Sequence, residues 1–368
     1  MRQIPYPKRP KEDPNTDPAG RAFRLTLWIC LLKGWCRLEG LISRPDVAVQ
    51  LIVVVGFIVF PRRPIMWQPL AESLANRRLA PISSSMRTLI LLALVALSAC
   101  TPLRTFNAVV PKDRGAGLVA ADQAFVSGRR GKLDVYAPSG VTQASKLPVI
   151  VFFYGGSWSS GTKAGYAFVG RALAARGFVV AVPDFRLVPE VRFPAFLEDS
   201  AAALKWVRAN ADRFGGDPDS IILVGHSSGA YTAAMLSLDP QWLGADRPAI
   251  RGFAGIAGPY DFLPLDKITE PVFGNAPDLR ATQPVSFASA GDPPAFLMMA
   301  GDDTLVGPRN AERLAQLLKQ AGVKAELRSY PKIGHVEILL AIAKPLRGRA
   351  PVLDDLAAFA ESVTTATK

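Results

Sequence analysis

Ile221-Ile222-Leu223-Val224 runs without a break into Gly225-His226-Ser227-Ser228-Gly229, and the chain continues as Ala230-Tyr231-Thr232-Ala233-Ala234. Four consecutive apolar residues leave no polar face, so this strand is expected to be covered on both sides, as strands of a parallel sheet are. The same text recurs. Pro148 to Tyr154 (PVIVFFY), Phe178 to Phe185, Ile250 to Ile256 and Ala295 to Ala300 read as further buried strands, and Leu133 to Tyr136 and Ala325 to Tyr330 as flanking ones. Between them, Ala167 to Arg176, Phe196 to Phe214, Asn310 to Gln320 and Pro351 to Ser362 have helical spacing, the second of these stopped by Gly215-Gly216-Asp217-Pro218. Strands alternating with helices predict an α/β fold with a mostly parallel central sheet flanked by helices on both faces. In such a sheet the functional site forms beyond the carboxyl ends of the strands.

Gly225-His226-Ser227-Ser228-Gly229 fits G-x-S-x-G, and its place between a buried strand and a small-residue helix is the setting that exposes a nucleophilic serine at the top of a sheet. A serine hydroxyl is a weak nucleophile until a base takes its proton. The chain has two histidines. His226 lies inside the tight turn, which points it away from Ser227. His335, in the loop Lys332-Ile333-Gly334-His335-Val336 after the last predicted strand, is therefore the expected base. A base of this kind needs a carboxylate that orients it and stabilises the imidazolium. In this setting the acid falls between the serine and the histidine in chain order. Asp302 and Asp303, directly after the strand Ala295 to Ala300, both meet that requirement.

Negative charge developing on a substrate oxygen calls for backbone N–H donors. Ser228, next to the nucleophile, is expected to supply one. The loop Tyr154-Gly155-Gly156-Ser157-Trp158 is expected to supply others through Gly156 and Ser157, with Gly155 shaping the turn. The irregular, proline-rich stretch from Asp261 to Pro294 is expected to help cover the site. Trp158, Tyr260, Phe262 and Phe273 are candidates for an apolar substrate pocket, and equally for ordinary core packing. No cluster of charges marks an acidic or phosphorylated substrate, so a neutral carboxylic ester, short-chain or aryl, is the expected partner. The sequence carries no zinc, calcium or nucleotide-binding signature, and no metal or cofactor is expected.

The chain carries 43 basic and 31 acidic residues, a formal +12, which raises nucleic acid as a partner. Position argues against it. Residues 1–85 hold 13 basic and 6 acidic residues, whereas residues 101–368 hold 29 and 25, only +4, with no basic run to track phosphates. The first 85 residues open with Pro5, Pro7, Pro10, Pro14 and Pro18 among charges, a disordered pattern. The segment Met86 to Cys100, a Met, a positive residue, a short apolar core and small residues, has the anatomy of a secretory signal peptide. Its ending Leu97-Ser98-Ala99-Cys100 resembles the bacterial lipoprotein signal, which implies cleavage before Cys100, a lipid on that cysteine and a place in the cell envelope. Translation is then expected to start at Met86, with residues 1–85 an over-extended gene start. The alternative is a genuine cytoplasmic extension before a short anchor. No cysteine follows Cys100, so residues 101–368 form no disulfide among themselves.

Taken with Gly258-Pro259-Tyr260-Asp261 after a strand, these pieces resemble the α/β-hydrolase superfamily. The nearer resemblance is to its esterase and lipase branch with an HGG-x-W oxyanion loop, a branch that includes carboxylesterases of the hormone-sensitive-lipase type and the kynurenine formamidases. It covers roughly residues 120–365. It departs at Tyr154, where that branch carries a histidine that buttresses the loop. The resemblance favours Asp303 over Asp302, because an aspartate ahead of a short segment with Val (Asp303-Thr304-Leu305-Val306) is the usual acid loop of the superfamily. It implies a serine esterase working through a Ser227–His335–Asp303 triad and an acyl-enzyme, without a cofactor. An arylformamidase on the same triad is the alternative. A non-catalytic binding module is a further one, and such proteins typically lose the serine or the histidine.

Overall fold

Eight strands build one sheet in the computed structural model, which describes residues 102–365. They are β1 (Ala116–Ala124), β2 (Lys132–Pro138), β3 (Leu147–Phe153), β4 (Val179–Pro183), β5 (Gly216–His226), β6 (Ile250–Ile256), β7 (Ala295–Ala300) and β8 (Ala325–Tyr330). The order across the sheet is β1-β2-β4-β3-β5-β6-β7-β8. β1–β2 and β2–β4 are antiparallel and every other pairing is parallel. The expected α/β-hydrolase architecture is therefore the observed one. The helices are α1 (Pro102–Val109), α2 (Ala167–Ala174), α3 (Ala195–Asn210), α4 (Ser228–Leu238), α5 (Glu270–Phe273), α6 (Arg309–Gln320), α7 (Glu337–Leu340) and α8 (Val352–Thr365). Signal segment 86–100, Cys100 and the preceding 85 residues lie outside the described residues.

The apolar runs end where the reading places them. Val149 to Phe153 on β3 and Ile221 to Val224 on β5 are fully buried, and they pair in parallel register as Val149↔Ile221 through Phe153↔Gly225. A strand with both faces dry has no polar alternation to keep, which is why these stretches are continuously apolar. Two departures have clear causes. The stop expected at Gly215-Gly216-Asp217-Pro218 does end the helical stretch, at Gly215, but Gly216 already opens β5, because it pairs with Leu147. β1 escapes the reading because it is an edge strand, largely exposed, whose pairing with β2 shifts register twice, so no regular alternation survives.

Register sets up the functional end of the sheet. Phe153↔Gly225 and His226↔Ile256 bring the ends of β3, β5 and β6 level. Ala300↔Tyr330 does the same for β7 and β8. The loops that follow these strands therefore leave the sheet side by side, at its carboxyl edge. Among the described residues, no helix is long and apolar enough to cross a membrane.

Candidate active site

Ser227 sits between β5 and α4 with φ +55° and ψ −124°, a left-handed backbone that a side chain adopts only under constraint. The constraint is close packing by the two motif glycines. A Cβ on Gly225 would lie 2.1 Å from the Gly229 carbonyl oxygen, and one on Gly229 would lie 2.0 Å from that of Phe153. Strand, turn and helix can approach this closely only with glycine at both positions. The Ser227 amide donates to Ile256 O at 2.8 Å, which fixes the turn to the end of β6.

Three loops converge on that serine. His335 Nε2 lies 2.8 Å from Ser227 Oγ, and His335 Nδ1 lies 2.7 Å from Asp303 Oδ2. The carboxylate that reaches the imidazole is thus that of Asp303. Its other oxygen accepts from the amides of Leu305 (2.8 Å) and Val306 (2.9 Å). Burial alone would raise the Asp303 pKa. The hydrogen bond from His335 and the two amides outweigh it and hold the carboxyl below its ordinary value. The neighbouring Asp302 is exposed, and its amide donates to Ile333 O at 3.0 Å, tying the acid loop to the histidine loop.

The loop after β3 lies beside the turn. Ser157 and Trp158 both have positive φ, +50° and +56°. Gly156 O accepts from the amides of Ser159 and Ser160, each at 3.0 Å, and Trp158 O accepts from Val188 N at 2.9 Å. Among the described residues the amides of Gly156, Ser157 and Ser228 donate to no protein acceptor. Ser228 opens α4, where the first N–H groups of a helix have no partner within it. These amides are available to a substrate oxygen.

Tyr154, the departure from the HGG pattern, supports the same loop. Its ring stacks between Tyr166 (5.2 Å) and Phe185 (4.7 Å), and its hydroxyl donates to Asp184 Oδ1 at 2.8 Å. Asp184 also accepts from the Lys163 amide at 2.7 Å, and Tyr166 donates to Gly155 O at 2.9 Å. Burial, reinforced by the Asp184 carboxylate, pushes the Tyr154 phenol well above its ordinary pKa, so it remains a donor. Tyr154→Phe is expected to leave Asp184 short of a donor and to cost about 1–3 kcal/mol, the usual penalty for stranding a buried polar group. Urea unfolding of the two proteins measures this, and equal midpoints would show the bond contributes nothing.

Of the four aromatic candidates, Trp158, Phe262 and Phe273 come together. Trp158 meets Phe273 at 4.9 Å and Phe262 meets Phe273 at 5.1 Å. Tyr231, four residues after Ser227 on α4, joins them at 5.3 Å from Trp158 and 5.4 Å from Phe273. Sequence reasoning passed over Tyr231, though its spacing puts it one helical turn from the serine. Trp158 and Phe273 are buried and Phe262 is half-buried. Tyr260 lies elsewhere, fully buried, with its hydroxyl filling the space where Cβ atoms on Gly255 and Gly258 would stand. Among the described residues no group of three or more His, Cys, Asp or Glu is arranged to hold a metal ion.

Similarity to known proteins bears on the family. Carboxylesterase NlhH of Mycobacterium tuberculosis is 32% identical over 229 residues, covering 55% of this chain and 70% of that protein. Isoprenylcysteine alpha-carbonyl methylesterase ICME of Arabidopsis thaliana is 29% identical over 253 residues, covering 62% of this chain. The chain spans 58% of the length of that plant protein. Among solved structures, a carbohydrate esterase from gut microbiota, in truncated form, superposes with a TM-score of 0.60 at 20% identity, over 70% of this chain and 99% of that one. Esterase 2 of Thermogutta terrifontis, phosphoramylated by tabun, gives 0.58 at 22% identity, over 69% and 96%. At such identities the structures speak for the fold alone. The BD-FAE family model matches residues 133–318, just over half of the chain, a stretch that carries the sheet from β2 to β7 together with Ser227 and Asp303. The chain has the α/β-hydrolase fold and belongs to the BD-FAE family.

Proposed function

We propose that this protein is a serine hydrolase of neutral carboxylic esters, with Ser227 as nucleophile, His335 as general base and acid, and Asp303 as its orienting carboxylate. The observation that carries the reading is the unbroken line of hydrogen bonds from Ser227 Oγ through His335 to Asp303, at 2.8 and 2.7 Å. Ser227 Oγ attacks the ester carbonyl carbon as its proton passes to His335 Nε2. The carbonyl oxygen becomes an oxyanion, received by the amides of Ser228, Gly156 and Ser157. Asp303 stabilises the imidazolium across Nδ1–H. The tetrahedral intermediate expels the alcohol, which takes the proton from Nε2, and leaves an acyl-enzyme on Ser227. Water, deprotonated by the same nitrogen, then releases the carboxylic acid and restores Ser227. Each proton taken up by His335 is returned, so no external acid or base is consumed.

The test uses the whole protein, a fluorophosphonate probe and two substrates. The probe is expected to label one site, Ser227, identified by peptide mass spectrometry. p-Nitrophenyl acetate is expected to turn over, and N-formylkynurenine to turn over much more slowly. Preference for the formamide would move the assignment to an arylformamidase. Absence of both labelling and turnover would leave the chain as a non-catalytic member of its fold.

A further inference from the structure

The second histidine reaches further than the turn it sits in. His226 is buried, and its ring centroid lies 5.0 Å from that of His335. Its Nε2 lies 2.9 Å from the backbone oxygen of His335, a residue 109 positions later in the chain. A carbonyl only accepts, so Nε2 carries the proton and donates. Nδ1 is then a bare acceptor, and it is buried without a partner. Burial, followed by the nearness of His335, lowers the pKa of this ring to about 3, so it is neutral at any working pH and places no charge beside the imidazolium that forms on His335. The other side of the ring faces the loop after β3, where a Cβ on Gly155 would come within 2.8 Å of Nδ1 and 3.0 Å of Ser227 Cβ.

We infer that His226 is a positioning residue for the reaction: one neutral ring, fixed by the turn that carries Ser227, holds the main chain of His335 and packs against the Gly155 loop. A ring kept only to fill space would be better made of carbon. His226 leaves a buried Nδ1 unmade, which costs stability, and in return supplies a donor to the one backbone carbonyl that carries the imidazole. The ring thus links the three parts whose mutual spacing decides the rate: the serine, the base and the amide loop. This inference rests on the triad reading above.

The test compares three substitutions that differ in where they place a donor. Gln at 226 puts an amide nitrogen the same number of bonds from Cα as Nε2. Asn puts one only as far as Nδ1, short of His335 O. Phe keeps a ring and has no donor. His226→Phe and His226→Asn are expected to lower kcat by about 10- to 100-fold with KM within about 2-fold, the scale expected when a catalytic group shifts by up to an ångström. His226→Gln is expected to recover kcat to within about 3-fold of wild type. A cooperative thermal melt shows that each variant is folded. The second readout is the downfield proton resonance of His335 Nδ1–H, shared with Asp303. It is expected to persist in wild type and His226→Gln, and to shift or broaden in the Phe and Asn variants. Wild-type kcat in His226→Phe overturns the inference, as do equal losses in Gln and Asn. A wild type that turns over no ester would defeat the esterase reading alone. The resonance would then still decide the role of His226, since its indifference to all three substitutions refutes it.

Discussion

Ser227→Ala is expected to lower kcat for p-nitrophenyl acetate by about 10⁶-fold, the loss seen when the nucleophile of a serine triad is removed. The methyl group cannot form the acyl bond, so whatever rate remains comes from water reacting within the same amide donors. KM is expected to change little, because the amides of Gly156, Ser157 and Ser228 are untouched. Stability is expected to hold, or to rise slightly. Ser227 occupies φ +55°, a conformation imposed by the packing of β5, α4 and the end of β3, and the replacement neither relieves nor deepens that strain. What it removes is one hydroxyl whose only side-chain hydrogen bond among the described residues is the one to His335. Steady-state kinetics and fluorophosphonate labelling measure both halves. A Ser227→Ala protein that keeps more than about a hundredth of the wild-type rate would place the chemistry on another residue, because a positioned base alone supplies no more than about 10²–10⁴-fold.

How much of this was open to reading from the chain depends on how local each signal is. The turn at Ser227 is written in a window of nine residues, Ile221 to Gly229, where dry strand, glycines and serine leave one arrangement. His335 follows by elimination, since the only other histidine is bound into that turn. Asp302 and Asp303 are alike in type and chain order, and only the resemblance of Asp303-Thr304-Leu305-Val306 to the superfamily's acid loop favours Asp303. The choice between them is made by direction, which comes from the Asp302 amide bonding Ile333 O and the Asp303 amide bonding Ala300 O. The second is a local turn, but the first joins the acid loop to the histidine loop, and no local pattern encodes it. Tyr154 is similar. The sequence marks it as a departure from HGG, but its partner Asp184 lies 30 residues away and at the end of a different strand. His226 is the clearest case. The turn does direct it away from Ser227, and the reading stopped there. What lies in that direction is the backbone of His335, and only the assembled sheet brings the two loops level. β1 was missed for the opposite reason: it has few buried contacts, and an exposed edge strand leaves little mark on composition.

Asp303→Asn is expected to lower kcat by about 10⁴-fold with the site otherwise intact, while Asp302→Asn stays within about 3-fold of wild type. The carboxylate of Asp303 accepts from His335 Nδ1 at 2.7 Å, which requires the proton on Nδ1 and leaves Nε2 bare to take the proton of Ser227. Its second oxygen is already committed to the amides of Leu305 and Val306, so an asparagine keeps its oxygen there and turns its NH₂ toward Nδ1. A donor at that position selects the other tautomer, with the proton on Nε2, and Nε2 can then no longer act as base. The pH behaviour follows from the direction of the Asp303 shift. The hydrogen bond from His335 and the two amides overcome the effect of burial and hold the folded pKa below the unfolded carboxyl value, about 3.9. The stability that this carboxylate contributes is therefore complete above the unfolded value and is lost as pH falls through the lower, folded one. Between about pH 5 and 9 Asp303 stays ionised, so any loss of rate on acidification within that range belongs to another group. Unfolding free energies of wild type and Asp303→Asn are expected to run parallel above about pH 5 and to converge below about pH 4, where the wild type gives up the contribution that the variant lacks. Parallel curves down to pH 2 would show that Asp303 carries no depressed pKa, and an Asp302→Asn variant with the larger loss of rate would move the orienting role to that residue.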